Sequence, residues 1–452
     1  MYLAYSFLLT LGFLLLVPRF IFHAFSHGKY VAGFRERLGS VRPNPDNKRP
    51  VVWLHCVSVG ETQAARPLVR RLQKAFPQYS LVVSTITLTG QRLAREVFRN
   101  EADNIFYFPF DWRWSVRRTL ANVDPVAVLI METELWPNFL RECRRRRIPV
   151  GLVNGRISRQ SFRRYRLIKF FFKRVIADLN IAVMQSEADE QRIHALGFPA
   201  ENLFTSGNLK FDAGAMPAAT SATADIRTRF SLNDSVPLIL AASTHAPEEK
   251  IILESFRLLR TGVEKPRLML APRHPERFQE VASLLQSSGL TWSRRTATPQ
   301  QSDSLCEVIL LDTIGELPAA YPLAAIVFVG GSIAKKGGHN VLEPAAAAAC
   351  VVTGAYTDNF EAIVNLLDEN NAIVQLPPLE DREAAQKLAE VLGDLLMKPH
   401  LRKDLGERAR QLVVNNQGAA DKTIELLSPL FSEHTATHTQ LNPLSTSNSR
   451  TS

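Results

Sequence analysis

Apolar positions along the chain fall into short runs separated by stretches with helical spacing. Between residues 51 and 210 the runs are VVWLH, LVVSTIT, NIFYF, VAVLIM, VGLVN, IAVMQ and LFTSG. Such alternation is the pattern of βαβ units on a parallel sheet. It pauses at residues 213–224, AGAMPAATSATA, a segment of small and turn-forming residues that reads as a linker. It restarts with LILAAST, RLMLAP, VILLD, AIVFVGG, CVVTG and AIVQL, interleaved with the helical stretches EEKIILESFRLL and REAAQKLAEVLGDLL. The expected fold is therefore α/β, with two Rossmann-like domains at 26–212 and 226–433 joined by a linker at 213–225. From His434 onward the sequence is polar and low in complexity, and predicts a disordered tail at 434–452.

The N-terminus departs from this pattern. No charge occurs from Leu3 to Val17, which is short for a membrane span of ~20 apolar residues. Tyr2 to Phe25 reaches that length only with Arg19 and His23 near the interface. No basic residue precedes the apolar core and no small-x-small site follows it, so a secretory signal fits poorly; a buried core helix is the other reading. Lys29, Arg35, Arg37, Arg42, Lys48 and Arg49 follow, against Glu36 and Asp46. That bias predicts an N-terminal membrane anchor at residues 1–25 with the body of the chain on the cytoplasmic side.

Composition narrows the class further. With 452 residues, 46% hydrophobic and 22% charged, the chain is neither a single small module nor disordered over most of its length. Its four cysteines are widely separated, with no CxxC pair, which argues against a zinc cluster or a disulfide framework and suits a reducing compartment. Charge is unevenly spread. Residues 1–212 hold 32 Lys+Arg against 17 Asp+Glu, whereas residues 213–452 hold 22 against 27. The basic half is either a solvated face or a surface for an anionic partner: nucleic acid, acidic lipid or a phosphorylated substrate.

In open α/β sheets ligands bind at the carboxyl ends of strands, so chemistry is sought in the strand-to-helix loops. Neither GxGxxG nor GxxxxGK[ST] occurs. HCVSVGE places Glu61 in the first turn of a helix, where the macrodipole favours an ionised carboxylate ready to accept a proton; an ordinary first-turn residue explains it equally. Ser58 and Gly60 suit a phosphate or sugar contact. In METELWPN, Glu132 directly follows a strand, where an acid is costly unless paired or functional, and Glu134 reads as a helix cap. Lys210 lies just after a strand and just before the linker. In the second half, Arg273 of APRHPER is placed to fork onto a phosphate, and Gly315 of DTIGEL admits a close approach. Gly337-Gly338 is expected to open a helix whose free N–H groups suit a phosphate, with Glu343 one turn inside. A basic aromatic stretch, SRQSFRRYRLIKFFFKR at 158–174, predicts one amphipathic helix for an anionic membrane surface or lipid phosphates, or else a core helix with a solvated side.

Taken in order, HCVSVGE, YFPFD, METELWPN, NGRIS, SGNLKFD, ASTHAPEE, APRHPER, IGEL, GGHNVLEP and GAYTDNF resemble the Kdo transferases, the enzymes that add 3-deoxy-D-manno-octulosonic acid (Kdo) to lipid A precursors in lipopolysaccharide assembly. The resemblance runs from about Val51 to Leu427, with departures at Pro247 and Ala355, where the family pattern leads one to expect Gly and Pro. It implies a GT-B glycosyltransferase with an interdomain cleft, the acceptor on the N-terminal domain and CMP on the C-terminal one. It implies Glu61 as general base, with Glu132 and Lys210 stabilising the transition state. Pro272, Arg273, Ile314, Gly315, Glu316, Asn340, Val341, Leu342 and Glu343 would hold CMP. The donor would be CMP-Kdo and the acceptor a tetraacyldisaccharide lipid A precursor (lipid IVA), at the bacterial inner membrane. No cofactor, metal or nucleic acid is expected, and a single displacement would invert the anomeric centre. Two alternatives remain: a UDP-sugar-dependent GT-B glycosyltransferase or epimerase, and a non-enzymatic, membrane-tethered nucleic-acid binder.

Overall fold

The computed structural model describes residues 1–27, 33–42, 49–214, 221–260 and 265–439. Lys29, Lys48, the middle of the expected linker (215–220) and most of the expected tail (440–452) lie outside these residues. The chain divides into two units, Met1–Ala213 with Asn416–Ser452, and Gly214–Asn415.

The first unit is built on seven strands: β1 (Val51–His55), β2 (Ser80–Thr85), β3 (Asn104–Tyr107), β4 (Pro125–Met131), β5 (Val150–Gly155), β6 (Ile181–Met184) and β7 (Leu203–Thr205). All pairings are parallel, in the order β3-β2-β1-β4-β5-β6-β7. The strands read as continuous apolar runs because both faces of the sheet are covered. Within β1, Val51 and Trp53 join Phe106, Phe108 and Phe139 in one core. Val52 and Leu54 join Leu68, Leu129 and Phe431 in the other, as the two-residue period of a strand requires.

Phe431 corrects a domain boundary. Residues 416–433, read above as the end of the second domain, belong to the first unit. The helix Ala419–Thr439 buries Leu427 and Phe431, and Tyr79 donates its hydroxyl to the Phe431 carbonyl at 2.9 Å. Asp212 caps it from a distance, accepting from Gly418 N at 2.7 Å and Ala420 N at 2.6 Å, which satisfies donors that a helix start leaves open. The helix also continues past His434, where disorder was expected.

Two further expectations are modified in this unit. The N-terminal segment is a helix, Tyr2–His27, yet no helix among the described residues is long and apolar enough to cross a membrane. Its inner side packs on the unit: Tyr2 donates to Asp178 at 3.1 Å, Trp112 donates to Thr10 at 3.1 Å, and Phe13 meets Trp112 edge-on. The 158–174 stretch is two helices, Arg159–Leu167 and Lys169–Ile176, broken at Ile168. Tyr165 and Phe172 stack across the break, which leaves Leu167, Ile168 and Phe170 exposed at the bend.

The second unit repeats the plan with β8 (Leu238–Thr244), β9 (Arg267–Pro272), β10 (Trp292–Arg294), β11 (Val308–Leu310), β12 (Ile326–Val329), β13 (Cys350–Thr353) and β14 (Val374–Gln375). Their order is β10-β11-β9-β8-β12-β13-β14, again all parallel. The strand β10 has no apolar run in the sequence because it is a half-buried edge strand of three residues. In each unit the order reverses beside the first strand, between β1 and β4 and between β8 and β12. These reversals open the crevices in which such sheets hold ligands.

Candidate active site

Glu61 and Glu132 follow the two strands that flank the first crevice. Ser58 starts the helix Val59–Ala75 as its N-cap, its hydroxyl oxygen accepting from Glu61 N. The Glu61 carboxylate accepts from Val57 N at 2.8 Å and from the Ser58 hydroxyl at 3.0 Å. Ser58 thus orients the Glu61 carboxylate. Glu61 is only 6% exposed. Burial, and next the neighbouring Glu132 carboxylate, push it up to about 8. Desolvation and a second carboxylate thus work against the helix dipole, which by itself favours the ionised form.

Glu132 has a positive φ of 54°, a conformation that strains a side-chain-bearing residue. It is held by its N–H to the Val153 carbonyl at 3.0 Å. Its carboxylate lies 3.7 Å from the Lys210 ammonium. Lys210 comes from beyond β7 at the far side of the sheet. Its helix, Leu209–Ala213, returns to the crevice because Asn154 Oδ1 at the end of β5 accepts from Leu209 N at 3.0 Å. Three carboxylates thus act on one another, Glu132 alone being paired with the lysine, and Glu134 is raised by burial and then by Glu132. Glu134 is not the helix cap expected from sequence. Asp111 fills that role for the helix Pro137–Arg145, accepting from Asn138 N at 3.0 Å and Phe139 N at 2.8 Å. The first unit therefore offers a buried acid that can accept a proton near neutral pH, beside an ion pair.

The second crevice collects the remaining candidates at the ends of the central strands. Pro272 ends β9 and Arg273 follows it, exposed. After β11, Ile314 is 78% exposed and Gly315 has a φ of 88° with open space where a Cβ would stand. Glu316 is engaged by Arg295 at 2.8 Å and by Thr313 at 2.7 Å, so it shapes the turn. Asn340 accepts from Leu342 N and donates to Glu343 Oε1, both at 3.0 Å. The side chains of Val341 and Leu342 are buried, which leaves only their main chain for a ligand. Gly337-Gly338 does not open the helix as expected. Both glycines have positive φ in the loop after β12, and the helix starts at Leu342 and is five residues long.

The family model for 3-deoxy-D-manno-octulosonic-acid transferases (kdotransferase) matches residues 32–213. The 3-deoxy-D-manno-octulosonic acid transferase of Haemophilus influenzae is 36% identical over 380 residues, covering 84% of this chain and 86% of that one. The chain belongs to the 3-deoxy-D-manno-octulosonic acid transferase family. The Bordetella pertussis member is 33% identical over 402 residues, with 86% of this chain and 89% of that one covered. In fold alone, this Kdo transferase is similar to the UDP-GlcNAc 2-epimerase of Neisseria meningitidis bound to UDP-GlcNAc, at a TM-score of 0.54 and 13% identity over 84% of this chain and 100% of that one. It is a glycosyltransferase with two Rossmann-like units of GT-B type, and the nucleic-acid-binding alternative falls away.

Several residues that organise this Kdo transferase's crevices are not apparent from sequence. Asn154, in NGRIS, carries Lys210's helix to Glu132. Glu248, fully buried, accepts five main-chain N–H groups, from His245, Gly331, Ser332, Ile333 and Ala334, at 2.8–3.2 Å. The signal was present in ASTHAPEE, which puts an acid in a helix's first turn directly after a strand, as HCVSVGE does for Glu61. Pro247 there is the helix N-cap.

Proposed function

We propose that the protein transfers Kdo from CMP-Kdo to a tetraacyldisaccharide lipid A precursor by a single inverting displacement that needs no metal. The observation that carries this reading is the Glu61–Glu132–Lys210 grouping. A carboxyl pushed up to about 8 by burial and by Glu132, and accepting two hydrogen bonds, is suited to take the proton of an attacking hydroxyl. The Lys210–Glu132 pair supplies fixed charge where the oxocarbenium-like centre and the departing phosphate develop theirs. Arg273, the Ile314–Glu316 turn and Asn340–Glu343 supply the nucleotide's contacts on the second unit, with Val341 and Leu342 contributing main chain only. Incubation with CMP-Kdo and the acceptor is expected to add the mass of Kdo to the lipid, at a rate unchanged by EDTA. Thermal protection by UDP and not by CMP, with no Kdo added, would refute this and favour the UDP-sugar reading.

Membrane attachment on the cytoplasmic side of the inner membrane is part of the same proposal. It is supported by the outer side of the first helix, where Leu3, Phe7, Leu8, Leu14 and Leu15 are each 60% exposed or more, and by Leu167 and Phe170 amid Arg163, Arg164, Arg166 and Lys169. Apolar side chains beside basic ones suit an in-plane helix on anionic lipid. Phe7→Asp with Leu8→Asp is expected to lower the vesicle-bound fraction at least tenfold in flotation. Full retention on vesicles would move attachment elsewhere.

A further inference from the structure

The loop after β12 has the look of a phosphate cradle, but its donors are taken. Glu248 occupies the N–H groups of Gly331, Ser332, Ile333 and Ala334. The helix Leu342–Ala346 is too short for its N-terminus to act alone. A phosphate entering this crevice needs other partners, and the structure places them across the strand-order reversal. His245 follows β8 and His339 lies in the loop after β12; their Nε2 atoms are 2.8 Å apart and their rings stack at 5.0 Å. At that distance one ring donates its Nε2–H and the other accepts. Burial, then the surrounding cationic groups, hold His245 down to about 4 and His339 to about 3, so both rings are neutral at working pH.

Cationic groups border the pair from several elements, and Glu276 lies 3.9 Å from His274. Arg273 and His274 approach from the end of β9, with His274 edge-on to His245 at 5.1 Å. Lys336 approaches from the same loop as His339, and Arg277 from the short turn Pro275–Arg277. The acids on the adjoining helix are engaged elsewhere: Glu248 by the main chain, and Glu249 by Thr244 at 2.9 Å and by Arg277. The end of the crevice between β8 and β12 thus sets one neutral imidazole N–H, shared by the two rings, among cationic groups.

We propose that the His245–His339 pair, together with Arg273, is the seat of the donor's phosphate. The rings part as the nucleotide enters, the Nε2–H shared between them turns to a phosphate oxygen, and Arg273 supplies the counter-charge. This rests on the reading of the second unit as the nucleotide site. Both imidazoles are positioning residues for binding, with no proton transferred to the leaving group.

Calorimetry with CMP and with cytidine, which lacks the phosphate, tests this on the full-length protein. His339→Gln and His245→Gln are each expected to weaken CMP about tenfold and to leave cytidine unchanged, so that the loss travels with the phosphate. Equal losses for CMP and cytidine would make the pair a structural support, and unchanged CMP affinity in both variants would also overturn the proposal. If one variant fails to fold, as judged by melting, the other decides. Wild-type protein that binds neither ligand would instead refute the nucleotide reading of the second unit.

Discussion

Glu61→Gln is expected to lower Kdo transfer by about 10²–10⁴-fold while the affinity for CMP, whose proposed contacts lie on the second unit, stays at the wild-type value. The amide keeps the shape and the Ser58 contact but cannot take a proton. As the proposed base, Glu61 is active only when ionised, and burial with the neighbouring Glu132 pushes it up to about 8. The profile of kcat/KM should therefore rise through neutral pH and level off above about 8. Because Glu132 is the second cause of that shift, Glu132→Gln should move the rising limb to lower pH. The stability consequence has the opposite direction. Folded Glu61 keeps its proton to about 8 where the unperturbed group loses it at 4.5, so the folded state binds more protons across that window. Stability then falls as pH rises from about 4.5 to 8, and Glu61→Gln should melt higher than wild type above pH 8. Wild-type transfer rates in the variant would refute the base assignment.

The largest effect on stability is expected at Glu248. Its carboxylate is fully buried, and both oxygens accept from the main chain. Glu248→Ala would leave five donors without an acceptor and free the loop after β12. A cost of about 3–5 kcal/mol is expected for breaking such a buried charged network, which corresponds to a fall of roughly 10 °C in melting temperature for a unit of this size. CMP binding should weaken in parallel, since His245 and the His339 loop are both tied to this carboxylate. An unchanged melting curve would show that water replaces it at no cost.

Much of this was legible in the sequence because strands covered on both faces announce themselves as apolar runs. Every run between Val51 and Gln375 marks a strand, and the acids and the lysine lie at the strand ends where they were sought. What was not legible depends on partners distant in the chain. Whether Glu61 is ionised is decided by burial and by Glu132, not by its place on its own helix. The cap of Pro137–Arg145 is Asp111, from a loop before the preceding strand, and no local pattern marks it. The glycine pair at 337–338 looked like a helix start because glycine-rich turns and phosphate loops share a composition; only Glu248, some 83–86 residues earlier, shows that the nearby amides are filled. Half-exposed β10 has no apolar run to read.

The contacts of Asp212 bear on how the chain is partitioned. One carboxylate at the exit from the first unit holds Gly418 and Ala420 at the return to it, so the segment 214–415 leaves and re-enters at nearly the same point. The second unit is in effect an insertion, and the first is discontinuous in sequence. A fragment ending at residue 213 would lack the helix that covers Leu54 and Leu129 and should expose that core to solvent. Joining residue 213 to residue 416 through a short turn keeps every strand of the first sheet and its C-terminal helix. The second unit should thus be removable as a cassette that leaves the fold of the first intact.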